Sequence, residues 1–190
     1  QAKTGTGKTL GFGLPILDIL KPGEGSPLAL VVVPTRELGI QVADELSKLS
    51  GGKKLRVTAI YGGRPMEPQI AELKSGVDIV VGTPGRLLDL QRQGALDLSK
   101  IKLLVLDEAD EMLDLGFLPD VEKIFKLTDS RTQTMLFSAT MPGDVVTLAR
   151  RYLNQPTHIR ADVEDTGAIV TRIKQFVFRA HALDKPEMLA

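Results

Sequence analysis

The 190-residue sequence contains no cysteine. A disulfide framework, a thiolate nucleophile and a zinc knuckle are therefore excluded. The composition fits a reducing compartment, and a cytoplasmic location is the expectation. An excess of charge of either sign is lacking as well, because 24 basic residues balance 24 acidic ones. The chain is thus no histone-like or polybasic arm, and any contact with nucleic acid must come from local donors. Long apolar runs are missing too; the longest fall far short of the roughly 20 residues that a membrane-spanning helix needs. Histidine is scarce: His158 and His181 are the two present, and both read as surface or strand-edge residues. No signal peptide is visible. The chain opens on QAKTGTGKT without an initiator methionine, so the natural N-terminus is expected upstream.

What is present is enough for one ordinary domain with a sizeable core, at 43% hydrophobic and 25% charged residues. Short apolar runs alternate with amphipathic stretches. Leu28 to Val33, Arg56 to Tyr61, Asp78 to Gly82, Leu103 to Leu106 and Thr134 to Ala139 read as strands. Several are apolar on both faces, the pattern of a parallel sheet covered by helices. Helical patterns lie between them at Glu37 to Leu49, Pro68 to Lys74, Pro84 to Arg92, Met112 to Phe117 and Pro142 to Leu153. Strands end at Gly, Pro, Thr or Asp, which terminate strands and cap helices. Such alternation predicts an α/β fold, a mostly parallel sheet with helices on both faces. KPGEGSP reads as a loop and DVEDTGA as a polar linker. No internal repeat or low-complexity segment is visible.

The strongest chemical signal stands at the start. Ala2, Lys3, Thr4, Gly5, Thr6, Gly7, Lys8 and Thr9 fit the phosphate-loop pattern, with Ala2 in place of its first glycine. Gly5 and Gly7 let successive amides face one centre, and the positive end of the following helix completes a phosphate cradle. Lys8 would set a point charge on the β and γ phosphates, and the Thr9 hydroxyl would ligate Mg²⁺. The bland alternative is an ordinary glycine-rich turn. The stretch LGFGLPILDIL that follows reads as a buried helix bent near Pro15.

Four apolar residues, Leu103 to Leu106, run directly into Asp107, Glu108, Asp110 and Glu111. Carboxylates avoid burial unless something pairs with them. The cluster is either a solvated helix start, where acids favour the positive end of the dipole, or a cation site. A phosphate loop predicts an acid at the end of another buried strand, holding the same Mg²⁺ through water. Asp107 fills that place, and Glu108 is placed to polarise a water for attack on the γ phosphate.

Three further strand ends carry similar loops. In VVVPTREL, Pro34 and Thr35 precede a helix whose first amides point outward, and Arg36 adds a phosphate-matching fork. Thr83, Pro84, Gly85 and Arg86 repeat the construction, and Gly62 and Gly63 permit another close approach of backbone to ligand. In one α/β sheet these loops open on the same side, where ligands bind. Contacts of this kind read a backbone rather than base edges. Taken singly, each is equally well a capped helix start. Ser138 and Thr140, by sequence alone, are strand-end hydroxyls at a turn.

Together the elements AKTGTGKT, PTREL, GG, TPGRL, DEAD and SAT, in this order, resemble the DEAD-box ATP-dependent RNA helicases of superfamily 2. The resemblance covers most of their first RecA-like domain. DEAH-type relatives would carry His where Asp110 stands. The resemblance implies ATP and Mg²⁺ as cofactors, held by residues 2–9 and Asp107, with Lys8, Asp107 and Glu108 catalytic. It implies RNA-phosphate contacts at Pro34, Thr35, Arg36, Gly62, Gly63, Thr83, Pro84, Gly85 and Arg86. Ser138 and Thr140 would bond to Asp110 and couple nucleotide state to RNA grip. Residues 1–161 are then the ATP-binding domain, 162–172 a linker, and 173–190 the beginning of a second RecA-like domain. That domain would close over ATP and RNA in cis and bring an arginine finger. The family's adenine-reading Q motif would precede Gln1. The expected function is local unwinding of RNA duplexes by a monomer bound to no membrane. The alternatives are an ATP-gated RNA clamp that nucleates assemblies, or a P-loop ATPase acting on DNA or protein.

Overall fold

The computed structural model describes residues 7–23 and 27–160. Ala2 to Thr6, the predicted linker and the predicted second-domain start lie outside the described residues.

Short continuous apolar runs and stretches of helical period alternate along the described chain, and the elements follow them. Helix α1 (Lys8–Ile19) leads to strand β1 (Ala29–Val32), then α2 (Arg36–Ser50), β2 (Val57–Ile60), α3 (Met66–Lys74) and β3 (Ile79–Gly82). After these come α4 (Pro84–Arg92), β4 (Leu103–Leu106), α5 (Ala109–Asp114), α6 (Leu118–Leu127), β5 (Gln133–Leu136) and α7 (Gly143–Tyr152). The strands form one parallel sheet in the order β2-β3-β1-β4-β5. In the central register Val31 lies opposite Val81 on one side and Val105 on the other.

Side chains alternate between the two faces of a strand, and the core divides accordingly. Ala29, Val31, Val33, Ile79, Val81, Leu103 and Val105 pack with Phe12 and Ile16 of α1 and Val42 and Leu46 of α2. Leu30, Val32, Ile60, Val80, Leu104 and Leu106 pack on the other face against α4, α5, α6 and α7. Each fully buried aliphatic side chain contributes about 1.5–3 kcal/mol. A sheet covered on both faces is therefore held rigidly, and its strand ends are fixed points.

Two local expectations are corrected. Helix α1 is buried on one side only: Phe12, Gly13, Ile16 and Leu17 face the core, while Leu10, Leu14 and Ile19 are exposed. It continues across Pro15, which lacks a backbone donor. The helix expected over Met112 to Phe117 instead begins at Ala109 and ends at Asp114. Gly116, at φ 81°, ends it: its N–H bonds to the Leu113 carbonyl and the Phe117 N–H to that of Met112. This is a Schellman motif, and glycine suits its left-handed position. A further helix, α6, follows with Pro119 in its first turn.

Candidate functional site

Because all five strands run parallel, their C-terminal ends open along one edge. Across it stand, in spatial order, Gly62 and Gly63 after β2, Thr83 to Arg86 after β3, and Pro34 to Arg36 after β1. Asp107 to Asp110 follow after β4, and Ser138 to Thr140 after β5. The loops expected to meet RNA thus occupy one half of the edge and the acids and hydroxyls the other.

On the acid half, Gly7 adopts a left-handed conformation as the N-cap of α1, and Lys8 opens the helix. The Lys8 Nζ lies 3.8 Å from Asp107 Oδ1 and 3.9 Å from Glu108 Oε1, too far for direct hydrogen bonds. It is buried and has no hydrogen-bond partner among the described residues. A buried ammonium facing two carboxylates across such gaps is an incompletely satisfied charge site. Anionic oxygens could fill its donor positions, and a cation could sit between Asp107 and those oxygens. Among the described residues no cluster of three or more His, Asp or Glu could hold a metal by itself. That donor set fits Mg²⁺, which keeps several waters and binds through one or two carboxylates plus phosphate.

Asp107 is 3% exposed. Burial pushes its carboxyl above the usual range, against the pull of Lys8 and the Glu108 N–H, which donates to Oδ1 at 2.9 Å. Glu108 itself sits at φ 52°, ψ 52°, a left-handed conformation costing a non-glycine residue about 1–3 kcal/mol. That turn carries the chain from β4 into α5 and points the Glu108 carboxylate back at Lys8. Burial first, and then a hydrogen bond with Glu111, push the Glu108 pKa up to about 7, while Lys8 opposes the rise.

Asp110 is tied to the β5 loop. Its carboxylate Oδ2 accepts from the Thr140 N–H at 2.9 Å and the Thr140 hydroxyl at 2.7 Å. Its own N–H donates to Ser138 Oγ at 3.2 Å, and that hydroxyl donates to the Thr140 carbonyl at 2.6 Å. The Ala109 N–H donates to the Phe137 carbonyl. Burial alone would raise the Asp110 carboxyl, but the Thr140 and Ser138 bonds outweigh it and hold it low. Ser138 is buried. Ser138→Ala should therefore cost about 1–3 kcal/mol by leaving the Asp110 N–H without its partner. A denaturant midpoint equal to that of the unsubstituted protein would show the hydroxyl to be idle.

Thr9 is engaged elsewhere. Its hydroxyl bonds to Glu45 of α2 and, with Gln41, holds that carboxyl below its usual range.

On the other half, Thr35 caps α2 by accepting the Leu38 N–H at 3.3 Å. Arg36 is exposed and paired with Glu37 at 3.1 Å. Thr83 makes no side-chain cap, but Pro84 occupies the start of α4. A Cβ added at Gly62 or Gly85 would meet nothing within 4 Å, so both backbones lie open. Gly63 has φ 76°, and Arg36 Nη1 lies 4.0 Å from where its Cβ would stand, so the Arg36 side chain reaches across to the β2 turn. Arg86 turns inward and donates to the Arg64 carbonyl at 2.9 Å. Arg64, Gln69 and Glu72 are the residues that sequence reasoning missed. The available signal was Gln69, a polar residue in register with Met66, Ile70 and Leu73 on the apolar side of α3.

A family model for the DEAD/DEAH box helicases matches residues 1–148. The ATP-dependent RNA helicase CshA of Listeria monocytogenes is 45% identical over 190 residues, which are all of this chain and 36% of that protein. The CshA helicase of Geobacillus kaustophilus is 43% identical over 189 residues, all of this chain and 40% of that protein. Among solved structures, a DEAD box protein from Methanococcus jannaschii superposes with a TM-score of 0.78 at 47% identity. It covers 83% of this chain and 43% of its own. The yeast DEAD-box splicing factor Prp28 gives 0.77 at 36% identity, over 82% of this chain and 39% of its own.

The fold is thus that of a RecA-like P-loop domain. The chain belongs to the DEAD/DEAH box helicase family. It spans about two fifths of the length of these relatives. No described helix is long and apolar enough to cross a membrane.

Proposed function

We propose that the chain is the ATP-binding core of an RNA-dependent ATPase that, at full length, grips RNA and unwinds short duplexes locally. The observation that supports this most is the buried Lys8 ammonium, without a hydrogen-bond partner among the described residues and facing Asp107 and Glu108. It lies on the sheet edge that also presents three loops of open backbone.

Lys8 is placed to hold the β and γ phosphate oxygens as a point charge. Asp107 and Thr9 are the residues that would hold Mg²⁺, and Thr9 must leave Glu45 to do so. The ion, when bound, neutralises charge on the transferred phosphate. Glu108 takes the proton of the attacking water, and its acidity near 7 matches a base working at neutral pH. Thr140 and Ser138 hold Asp110, so a displacement at Asp107 reaches the β5 loop through one continuous set of bonds. On the RNA half, the open amides at Gly62 and Gly63 and at the starts of α2 and α4 are suited to phosphate oxygens. A second RecA-like domain in cis would complete both sites.

The test is ATP hydrolysis by the full-length protein with RNA, with DNA and alone, beside release of a short RNA duplex. RNA-specific stimulation and ATP-dependent release are expected; equal stimulation by DNA would sink the assignment. Arg36→Ala should weaken binding evenly across unrelated single strands and flatten the log–log salt dependence by about one unit of slope. Loss confined to one base sequence would point to base readout instead.

A further inference from the structure

The turn from Tyr61 to Pro65 joins β2 to α3 and carries Gly62 and Gly63 at its crown. The last ladder bond on its inner side runs from the Thr83 N–H to the Ile60 carbonyl. Beyond it the chain after β3 departs into α4, so Tyr61 has no neighbouring strand to satisfy its backbone groups. Gln69, fully buried on α3, stands in that place. Its Oε1 accepts the Tyr61 N–H at 3.1 Å, and its Nε2 faces the Tyr61 carbonyl at 3.3 Å. The same nitrogen reaches the Pro65 carbonyl at 3.0 Å and the Arg64 carbonyl at 3.4 Å. One carboxamide thus continues the ladder for one residue and closes the far end of the turn. The group must accept on one side and donate twice on the other, which among side chains of this length only a primary amide does.

The flanks are pinned as well. Arg86 donates to the Arg64 carbonyl at 2.9 Å. The Arg64 guanidinium donates to Glu72 at 2.7 Å, and Glu72 also accepts the Thr58 hydroxyl. All of these bonds run inward or sideways. None uses the exposed crown, and two adjacent glycines there would otherwise have the widest backbone freedom of any pair. A turn fixed from beneath binds a ligand without first having to be ordered.

We infer that Gln69 is the positioning residue for RNA on this domain: it holds the Gly62–Gly63 crown in its binding shape without touching RNA itself. This rests on the RNA-dependent ATPase assignment made above. It also gives Arg86 an indirect part, as a brace on the same turn.

The experiment uses the full-length protein and its Gln69→Leu, Gln69→Glu and Glu72→Gln variants. Homopolymeric RNA is the activator, and the melting transition of each variant is recorded. Gln69→Leu removes every bond, and Gln69→Glu sets a carboxylate against three carbonyls. In both, the RNA concentration for half-maximal stimulation should rise about tenfold to a hundredfold. KM for ATP and kcat at saturating RNA should stay where they are. Glu72→Gln, at a side chain 40% exposed, keeps the fold in any case and should give a smaller rise of the same kind; if neither Gln69 variant folds, it decides the matter. A merely structural role would lower the melting temperature and disturb ATP and RNA alike. Unchanged RNA half-saturation in the folded variants, or an equal loss in KM for ATP, would overturn the inference alone. Absence of RNA stimulation in the unsubstituted protein would overturn it together with the assignment on which it rests.

Discussion

Glu108→Gln in the full-length protein lowers ATP turnover by about 10²–10⁴, the usual contribution of a positioned general base, and leaves ATP and RNA binding intact. The amide keeps the size and the left-handed backbone of the residue, so the β4–α5 turn survives. What is lost is the group that, on the proposed mechanism, takes the proton. Asp107→Asn differs, because Asp107 is almost wholly buried and lies 3.8 Å from Lys8. It weakens the hold on the cation, and Mg²⁺-dependent nucleotide binding falls together with turnover. Equilibrium binding of a non-hydrolysable ATP analogue across a Mg²⁺ titration separates the two. If both variants lost Mg²⁺-ATP affinity equally, the division of labour between these neighbouring acids would be wrong.

Lys8→Met weakens ATP binding by about 1.5–3 kcal/mol, the range for a charge-assisted hydrogen bond, while RNA binding without nucleotide is unchanged. Methionine retains most of the stem and so much of the packing. The variant carries a second signature in the free protein. Lys8 holds down the pKa values of both Asp107 and Glu108, so its removal raises them further. A carboxyl whose pKa is raised by folding binds more protons folded than unfolded. Its contribution to stability is present below the unfolded value and is lost as pH rises through the folded one. For Glu108 that loss falls between the ordinary glutamate range and about pH 7, and Lys8→Met extends it upward. Thermal unfolding of the nucleotide-free variant at pH 5 and pH 8 should show a wider gap than the unsubstituted protein shows. Equal gaps, with ATP affinity undiminished, would remove Lys8 from the site.

The residues of the sheet edge were legible one by one because each sits where an apolar strand stops, and strand ends leave local marks: Pro-Thr, Gly-Gly, Thr-Pro-Gly, Asp-Glu. Their arrangement was not legible. Strand β3 inserts between β1 and β2, and only that long-range pairing divides the edge into two halves. Gly116 hid the end of α5, since its flanking leucines and Phe117 continue the helical period. Arg86 and Gln69 show the complementary failure. An arginine after Pro-Gly reads as an outward fork, and a glutamine in a helix reads as a solvated side chain. For Gln69 its place on the apolar side of α3 was a hint of burial, but the carbonyls the two side chains reach, 22 and 8 residues away, no local pattern discloses. The Thr9–Glu45 contact likewise spans two helices.

The Asp110–Thr140–Ser138 bonds, with the Ala109–Phe137 link beside them, weld the segment after β4 to the segment after β5. Two pieces joined by several short bonds over so few residues cannot slide past each other; they translate together or the bonds break. On the function proposed above, nucleotide state would be transmitted as a rigid displacement of one block, in steps rather than by degrees. A ligand that shifts this block by less than the length of a hydrogen bond moves every member of it equally.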